Sequence, residues 1–229
     1  MFNALISDMD GLMINTEPLY WEVARELARR CGKSVSDATL RRMMGRSRQE
    51  SMCIFAQECG IDASPEDLLV AREQLMIERF GRGVEPMPGL RQILERFYRR
   101  LRLAITTSSP RKFTDVLLPA MRVAEMFEVI QTGDEIPHGK PHPEIYLKTL
   151  SRLNVPAEQS VVLEDSHAGA LSAKRAGCYV IAVPSPLTAE EDFSFADARV
   201  ENLVDAAQHV EELLKRGWQR VGLSSVTRF

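Results

Sequence analysis

Cysteine is scarce in this chain of 229 residues, which contains only four. No two of the four form a C-x-x-C pair. This spacing disfavours a cysteine-based zinc site and a thioredoxin-like redox site. The sequence therefore predicts free, mostly buried thiols in a reducing cytoplasm.

The chain also lacks the features of membrane-bound, secreted and nucleic-acid-binding proteins. It contains no apolar run of roughly 18 residues, the length of a membrane span. Its short apolar N-terminal segment is interrupted by Asp8 and Asp10, which argues against a signal peptide. The 29 basic and 32 acidic residues leave a formal net charge of −3, whereas nucleic-acid binders are usually strongly basic. We therefore expect a cytoplasmic protein, with neither a membrane nor a nucleic acid as partner and with a monomer as the default state.

Hydrophobic periodicity divides the chain into two kinds of segment. Residues 2–6 form an apolar run that stops at a turn signal, which is typical of a strand buried on both faces. From residue 17 to 82 the apolar residues recur at helical spacing, and no strand is predicted there. Farther on, predicted helices alternate with short apolar runs at 101–107, 129–132, 161–163 and 180–183.

This alternation predicts an α/β fold built on a doubly wound parallel sheet. Residues 1–14 and 85–229 would form this discontinuous core domain. Residues 15–84 would form an all-helical domain inserted after the first strand.

Carboxylates and hydroxyls follow three of the predicted strands. The first strand ends in Asp8 and Asp10, the second in residues 106–109, and the fourth in Glu164 and Asp165. Because the carboxyl ends of parallel strands meet at one edge of a sheet, we expect these side chains to lie close together. Four such acids repel one another unless a cation or a proton intervenes. Oxygen ligands without a nearby cysteine favour a hard divalent ion, with Mg²⁺ first.

Two further features are open to an ordinary explanation as well as a functional one. Residues 107–109 would bind a phosphate at the start of a helix, or they would simply cap that helix. Lys140 would balance the carboxylates and hold a phosphate, or it would be an exposed loop lysine. His138 and His142 flank Lys140, but the sequence shows no obvious companion that would complete a metal site.

Together these motifs resemble those of the haloacid dehalogenase superfamily, and within it the β-phosphoglucomutase-like branch. The matching motifs are Asp8–Gly11, Thr107, Lys140–Pro141 and Glu164–Asp165, and they occur in this order along nearly the whole chain. A helical cap inserted directly after the first motif is also typical of this branch. Residues 15–20 resemble its hinge segment.

The resemblance implies a Mg²⁺-dependent phosphomonoester hydrolase that works through an aspartyl-phosphate. Asp8 would be the nucleophile, already ionised near neutral pH. Asp10 would protonate the leaving alcohol and then activate water. The phosphoryl oxygens would be clamped by Lys140 and Thr107, with Ser108 and Ser109 in the same cradle.

The same resemblance implies a ligand set for the metal ion. Asp8, the backbone carbonyl of Asp10, and Asp165 would bind Mg²⁺, and Glu164 would bind it directly or through water. The peptide bond between Lys140 and Pro141 is a candidate cis bond.

The cap would choose the substrate, which we expect to be a small sugar or nucleoside phosphate. The residues that match the family's cap loop are Gly45, Arg46, Ser47 and Arg48. The two arginines would grip sugar hydroxyls or a second anionic group, although a surface turn explains the same residues. Arg72, on a later cap helix, is a further candidate.

One departure from the family bears on the reaction. Mutases of this branch carry a histidine where this chain has Tyr20, which favours hydrolysis. A sugar-phosphate mutase of the β-phosphoglucomutase type is the alternative. A non-catalytic protein that binds phosphorylated metabolites is a third.

Overall fold

The structure is a computed structural model, and it describes residues 1–43 and 48–216. The chain divides into two compact units. The first contains Met1–Ile14, Pro86–Arg111 and the chain from Val123 onward, and the second contains Asn15–Glu85 and Lys112–Arg122. Residues 112–122 thus group with the helical unit, whereas the sequence analysis placed them in the sheet domain.

The first unit is built on a six-stranded sheet whose paired neighbours are all parallel. The strands are β1 (Ala4–Ser7), β2 (Arg102–Thr107), β3 (Val129–Thr132), β4 (Ser160–Glu164), β5 (Tyr179–Ala182) and β6 (Ala198–Arg199). Their spatial order is β3-β2-β1-β4-β5-β6, so the chain winds outward from a central β1 in both directions. The predicted α/β class and parallel sheet are confirmed. β6 was not predicted, because two residues carry no usable periodicity.

Nine α-helices occur within residues 1–43 and 48–216. They are α1 (Glu17–Arg30), α2 (Asp37–Met43), α3 (Arg48–Cys59), α4 (Pro65–Gly81), α5 (Leu90–Phe97), α6 (Arg111–Ala120), α7 (Glu144–Leu153), α8 (His167–Arg175) and α9 (Leu203–Arg216). The sequence analysis missed α9, although its buried residues Leu203, Ala206, Val210 and Leu213 recur at helical spacing. None of the helices in the described part of the chain has the length and apolar composition that a membrane span requires.

The register of the sheet brings the polar strand ends together. All four residues of β1 are buried, because β1 lies between β2 and β4. Ser7, its last residue, lies opposite Ile105 in β2 and Leu163 in β4. The residues that follow each of these positions are Asp8, Thr106 and Glu164. They therefore leave the sheet side by side.

The second unit is a set of packed helices in which α4 is central. Ser64 caps α4, and its hydroxyl accepts a hydrogen bond of 3.0 Å from the backbone N–H of Asp67. Phe80 on α4 meets Phe113 on α6 edge to face, with ring centroids 5.2 Å apart. This aromatic contact is a physical reason for residues 112–122 to belong to the helical unit.

The expectation of mostly buried thiols was wrong. Cys178 is buried and Cys59 is partly exposed, but Cys31 and Cys53 are exposed. Cys53 lies on the outer face of α3, directly after the buried Met52, and Cys31 caps the end of α1. Helical rotation, rather than residue type, decides which of these thiols reach solvent.

Candidate active site

A tight turn directly after β1 places two carboxylates at the edge of the sheet. The N–H of Asp8 still donates to the carbonyl of Leu163 at 3.0 Å, and the chain then folds back through the Gly11 N–H to Ile14 carbonyl bond of 2.8 Å. Gly11 has a φ of +82°, and a side chain there would overlap the Asp165 carboxylate. The turn therefore requires glycine both for its backbone conformation and for the approach of Asp165.

Three acidic side chains converge beside this turn. Asp8, Glu164 and Asp165 are buried, and each offers a carboxylate oxygen within 4.8 Å of the others. Gly169 on α8 makes room for them, since a side chain at that position would overlap the carboxylate of Glu164. Three of the four predicted acids thus form one cluster.

Lys140 provides a cation within this cluster. Its Nζ lies 2.5 Å from Asp8 Oδ1 and 2.5 Å from Glu164 Oε1, and it donates to the carbonyl of Thr106 at 3.2 Å. Only 6% of its side chain is exposed, so an exposed loop lysine is the wrong interpretation. The predicted cis bond between Lys140 and Pro141 is confirmed.

The protonation of the cluster reflects this crowding. Burial raises the pKa of Asp8 well above its usual range, and Glu164 and Asp165 raise it further, while Lys140 acts in the opposite direction. Burial and the neighbouring Glu164 raise the pKa of Asp165 to about 8. Burial opposes the charge on Lys140, but Asp8 and Glu164 outweigh it and raise the lysine's pKa.

This finding changes one expectation from the sequence. Asp8 was expected to be ionised near neutral pH, as an isolated aspartate is. In the folded protein, burial and the neighbouring acids raise the pKa of Asp8 above that of an isolated aspartate, and Lys140 offsets only part of this increase. A cation bound beside Asp8 would lower its pKa.

Asp10 lies apart from the three-acid cluster and has different partners. Its Oδ2 accepts hydrogen bonds from Thr107 Oγ1 at 2.9 Å and from Ser109 Oγ at 2.8 Å. Its Oδ1 is buried and has no hydrogen-bond partner among the described residues. One oxygen is therefore held in place while the other is available to a ligand.

The hydroxyls predicted to form a phosphate cradle are arranged around Asp10. Thr107 Oγ1 also accepts the backbone N–H of Ser109 at 3.0 Å, so both residues of this pair orient Asp10. Ser108 is exposed. Phosphate binding by residues 107–109 remains a prediction.

Sequence reasoning missed one residue of this site. Tyr146 on α7 is fully buried, and its hydroxyl donates to Glu164 Oε1, the same oxygen that Lys140 contacts. No motif marks Tyr146, because its contact with Glu164 depends on how α7 packs against the sheet.

The structure describes only some of the predicted cap residues. Gly45, Arg46 and Ser47 lie outside the described residues. Arg48 forms an ion pair with the buried Glu73, and the guanidinium of Arg72 lies 5.8 Å from the centre of the Tyr20 ring. Substrate contacts by Arg48 and Arg72 remain predictions.

Comparison with known proteins shows the family to which the chain belongs. Residues 5–183 match the family described as haloacid dehalogenase-like hydrolase. A Thermotoga maritima protein named phosphorylated carbohydrates phosphatase is 38% identical over 76% of this chain and 81% of its own length. The protein CbbY of Rhodobacter capsulatus is 36% identical over 92% of this chain and 98% of its own.

A solved structure shows the same fold. The crystal structure of CbbY from Rhodobacter sphaeroides in complex with phosphate has a TM-score of 0.81 and 27% identity, and it covers 90% of this chain and 96% of its own. The family match spans most of the chain, and the relatives share its sequence over most of their length. The chain therefore belongs to the haloacid dehalogenase-like hydrolases and is a phosphatase of that family.

Proposed function

We propose that this phosphatase releases inorganic phosphate from a small phosphorylated carbohydrate through an aspartyl-phosphate on Asp8. The observation that carries the proposal is the pairing of two differently held carboxylates after β1. Asp8 contacts Lys140 within the buried acidic cluster, while Asp10 is oriented by Thr107 and Ser109 and keeps one oxygen unbonded. The carbohydrate substrate is supported by the relative from Thermotoga maritima, which is named for that class.

The two carboxylates divide the chemistry between them. A carboxylate oxygen of Asp8 attacks phosphorus, and the bond between phosphorus and the ester oxygen breaks. Asp10 donates its proton to the departing alkoxide. Asp10 then takes a proton from a water molecule that attacks the phosphorus, which restores the Asp8 carboxylate and releases phosphate.

Asp10 must be held in place both to protonate the leaving group and to take a proton from water. Thr107 and Ser109 donate to the same oxygen, Oδ2 of Asp10. They therefore fix the orientation of Asp10 and leave Oδ1 to carry the proton. Lys140, held between Asp8 and Glu164, supplies the positive charge that favours the ionised nucleophile.

The residues present fit a divalent cation. Among the described residues, three buried carboxylates converge around one lysine, and burial together with the repulsion between the acids raises the pKa values of Asp8 and Asp165. Oxygen-only donors are typical of Mg²⁺ sites. Asp8, Asp165 and Glu164 would hold the ion, and when bound it would neutralise their charge and that of the phosphoryl oxygens.

The proposal is tested by phosphate release from an aryl phosphate and from a panel of phosphorylated carbohydrates in the presence of Mg²⁺. We expect release that stops on chelation of the metal. Asp8→Asn should lower kcat by at least about 10⁴-fold, because the nucleophile is lost.

The matched control is Asp62→Asn, which changes an exposed aspartate in the helical unit and should retain full activity. Full activity of Asp8→Asn would refute the nucleophile assignment. Interconversion of sugar-phosphate isomers without net phosphate release would identify a mutase instead. Ligand binding without turnover would identify a non-catalytic binding protein.

A further inference from the structure

A second group of possible metal ligands lies on the segment that carries Lys140. His138, His142 and Glu144 each offer one ligand atom, and these atoms lie within 4.8 Å of one another. The side chains of His138 and His142 are 65% and 53% exposed. The sequence analysis found no companion for the two histidines. The structure places Glu144 beside both.

The contacts converge on one carboxylate oxygen. His138 Nδ1 lies 2.7 Å from Glu144 Oε2, and His142 Nδ1 lies 3.8 Å from the same oxygen. The two imidazole rings are 4.8 Å apart and tilted by 40°. Neutral imidazole is the form of histidine that binds metals, through either ring nitrogen.

The backbone holds the His142 ring beside Glu144. His142 Nδ1 accepts a hydrogen bond from the backbone N–H of Glu144 at 3.3 Å, so this nitrogen carries a lone pair rather than a proton. An ion bound at this nitrogen would replace that hydrogen bond.

The backbone under the three side chains is anchored. The His142 N–H donates to the carbonyl of Gly139 at 3.0 Å. From α8, Ser172 Oγ donates to the carbonyl of His142 at 2.7 Å, and Arg175 donates to the carbonyl of Pro141 at 3.0 Å. With metal–ligand bonds of about 2.1 Å, two ligand atoms on one ion lie at most about 4.2 Å apart. Rotation of the three side chains on this anchored backbone is then enough to bring their ligand atoms to one ion.

We propose that His138, His142 and Glu144 form a binding site for one zinc-like divalent transition-metal ion, separate from the buried carboxylate cluster. Two imidazoles and a carboxylate match the ligand preferences of Zn²⁺, whereas Mg²⁺ prefers oxygen donors. Lys140 lies between the two histidines in the chain and contacts Asp8 and Glu164. An ion at this site would brace the segment that presents Lys140.

The test is a Zn²⁺ titration of the full chain in excess Mg²⁺, followed by calorimetry and by amide NMR. Cys31, Cys53 and Cys59 are replaced by serine in every sample, because these thiols are accessible and also bind zinc. We expect one equivalent of Zn²⁺ to bind and to shift the amide signals of residues 138–144. His138→Ala/His142→Ala should lose that equivalent, and Glu144→Gln should bind at least about tenfold more weakly.

The matched control is His167→Ala/His209→Ala, which removes the chain's other two imidazoles and should bind as the parent does. The proposal is overturned if His138→Ala/His142→Ala binds Zn²⁺ as the parent does. It is also overturned if Zn²⁺ shifts only signals near Asp8 and Asp165. Neither result bears on the proposed phosphatase reaction, which requires no ligand from this group.

Discussion

Each of the two units buries a group of charged side chains, and the two groups are balanced in opposite ways. In the sheet unit, Asp8, Glu164 and Asp165 form a group in which one cation of the described chain, Lys140, pairs with Asp8 and Glu164. In the helical unit, a single buried acid, Glu73, pairs with two cations that are each about half exposed.

The comparison distinguishes charged side chains that pair with one another from charged side chains that could bind a cation. Glu73 is neutralised by Arg48 and Lys112 of its own chain, and the exposed parts of these two cations remain solvated. In the sheet unit the described acids outnumber the cations, and burial together with the repulsion between these acids raises the pKa values of Asp8 and Asp165. Because uncompensated buried charge is unfavourable, a group in which it persists is a candidate binding site for a cation.

The largest effect is expected from removing Lys140, the cation that contacts the acidic group within residues 1–43 and 48–216. In metal-free protein near pH 8, Lys140→Met should lower the free energy of unfolding by about 3–5 kcal/mol, because Asp8 and Glu164 lose their partner. Urea unfolding measures this change. Lys148→Met, which removes an exposed lysine from α7, is the control, and equal losses in both variants would contradict the charge deficit.

The next effect is on the pH dependence of stability. The pKa of Asp165 is about 8 in the folded protein and about 3.9 when unfolded, so the folded state binds the extra proton between these values. Metal-free protein should therefore lose stability as the pH rises through this window. Mg²⁺ should restore the lost stability, by about 2.7 kcal/mol at a hundredfold excess over Kd. The effect of Mg²⁺ should be larger at high pH, where protons no longer compete with the ion for the carboxylates.

Thermal unfolding at about pH 5.5 and pH 8, with and without Mg²⁺, measures this dependence. Asp165→Asn should flatten the pH slope of the metal-free protein, because the titrating carboxyl is absent. A Mg²⁺ effect of the same size at both pH values would argue against the buried acids as its ligands.

A smaller effect is expected in the helical unit. Glu73→Gln should lower the free energy of unfolding by about 2 kcal/mol, because the ion pairs of the buried Glu73 with Arg48 and Lys112 are lost. The stabilisation by Mg²⁺ should be unchanged. Glu78→Gln on the same helix, where the carboxylate is 42% exposed and 3.7 Å from Arg30, should change stability by less than about 0.5 kcal/mol. If Glu73→Gln altered the stabilisation by Mg²⁺, the Glu73 ion pairs would not be independent of the acidic group in the sheet unit.

The smallest effect is expected at Tyr146. Tyr146→Phe should lower the free energy of unfolding by about 1 kcal/mol, because Glu164 loses one hydrogen-bond donor but keeps Lys140. Urea unfolding compares it with Tyr98→Phe, a change at an exposed tyrosine. Identical stabilities for these two variants would show that the Tyr146 hydroxyl contributes nothing to holding Glu164.

Most of the fold could be predicted because its signals are local. The strands β1 to β5 are short apolar runs, and each ends at a turn or a polar residue, so their ends could be placed within a few residues. Gly177, two residues after the end of α8, has a φ of +91°, which is typical of a glycine that terminates a helix. β6 and α9 were missed. The two residues of β6 are too few to show a period. The buried residues of α9 do recur at helical spacing.

The candidate site was predictable only in part. The predicted strand ends identified Asp8, Asp10, Glu164 and Asp165 as candidates, and Lys140 was a candidate because a lysine would balance these carboxylates. The sequence did not reveal that Thr107 and Ser109 orient Asp10. It also did not reveal that Tyr146 and Glu144 complete two groups. Such contacts depend on distances between elements that are far apart in the chain.

The sequence by itself determined the α/β class, the position of the helical insertion and the set of acids at one sheet edge, because periodicity and strand order are written in local residue patterns. Only the tertiary structure decided the electrostatics. It buried three carboxylates around one lysine and thereby raised the pKa values of Asp8 and Asp165. The physical reason is that the cost of a charge depends on what surrounds it, and the surroundings of a buried group are assembled only when distant segments pack together.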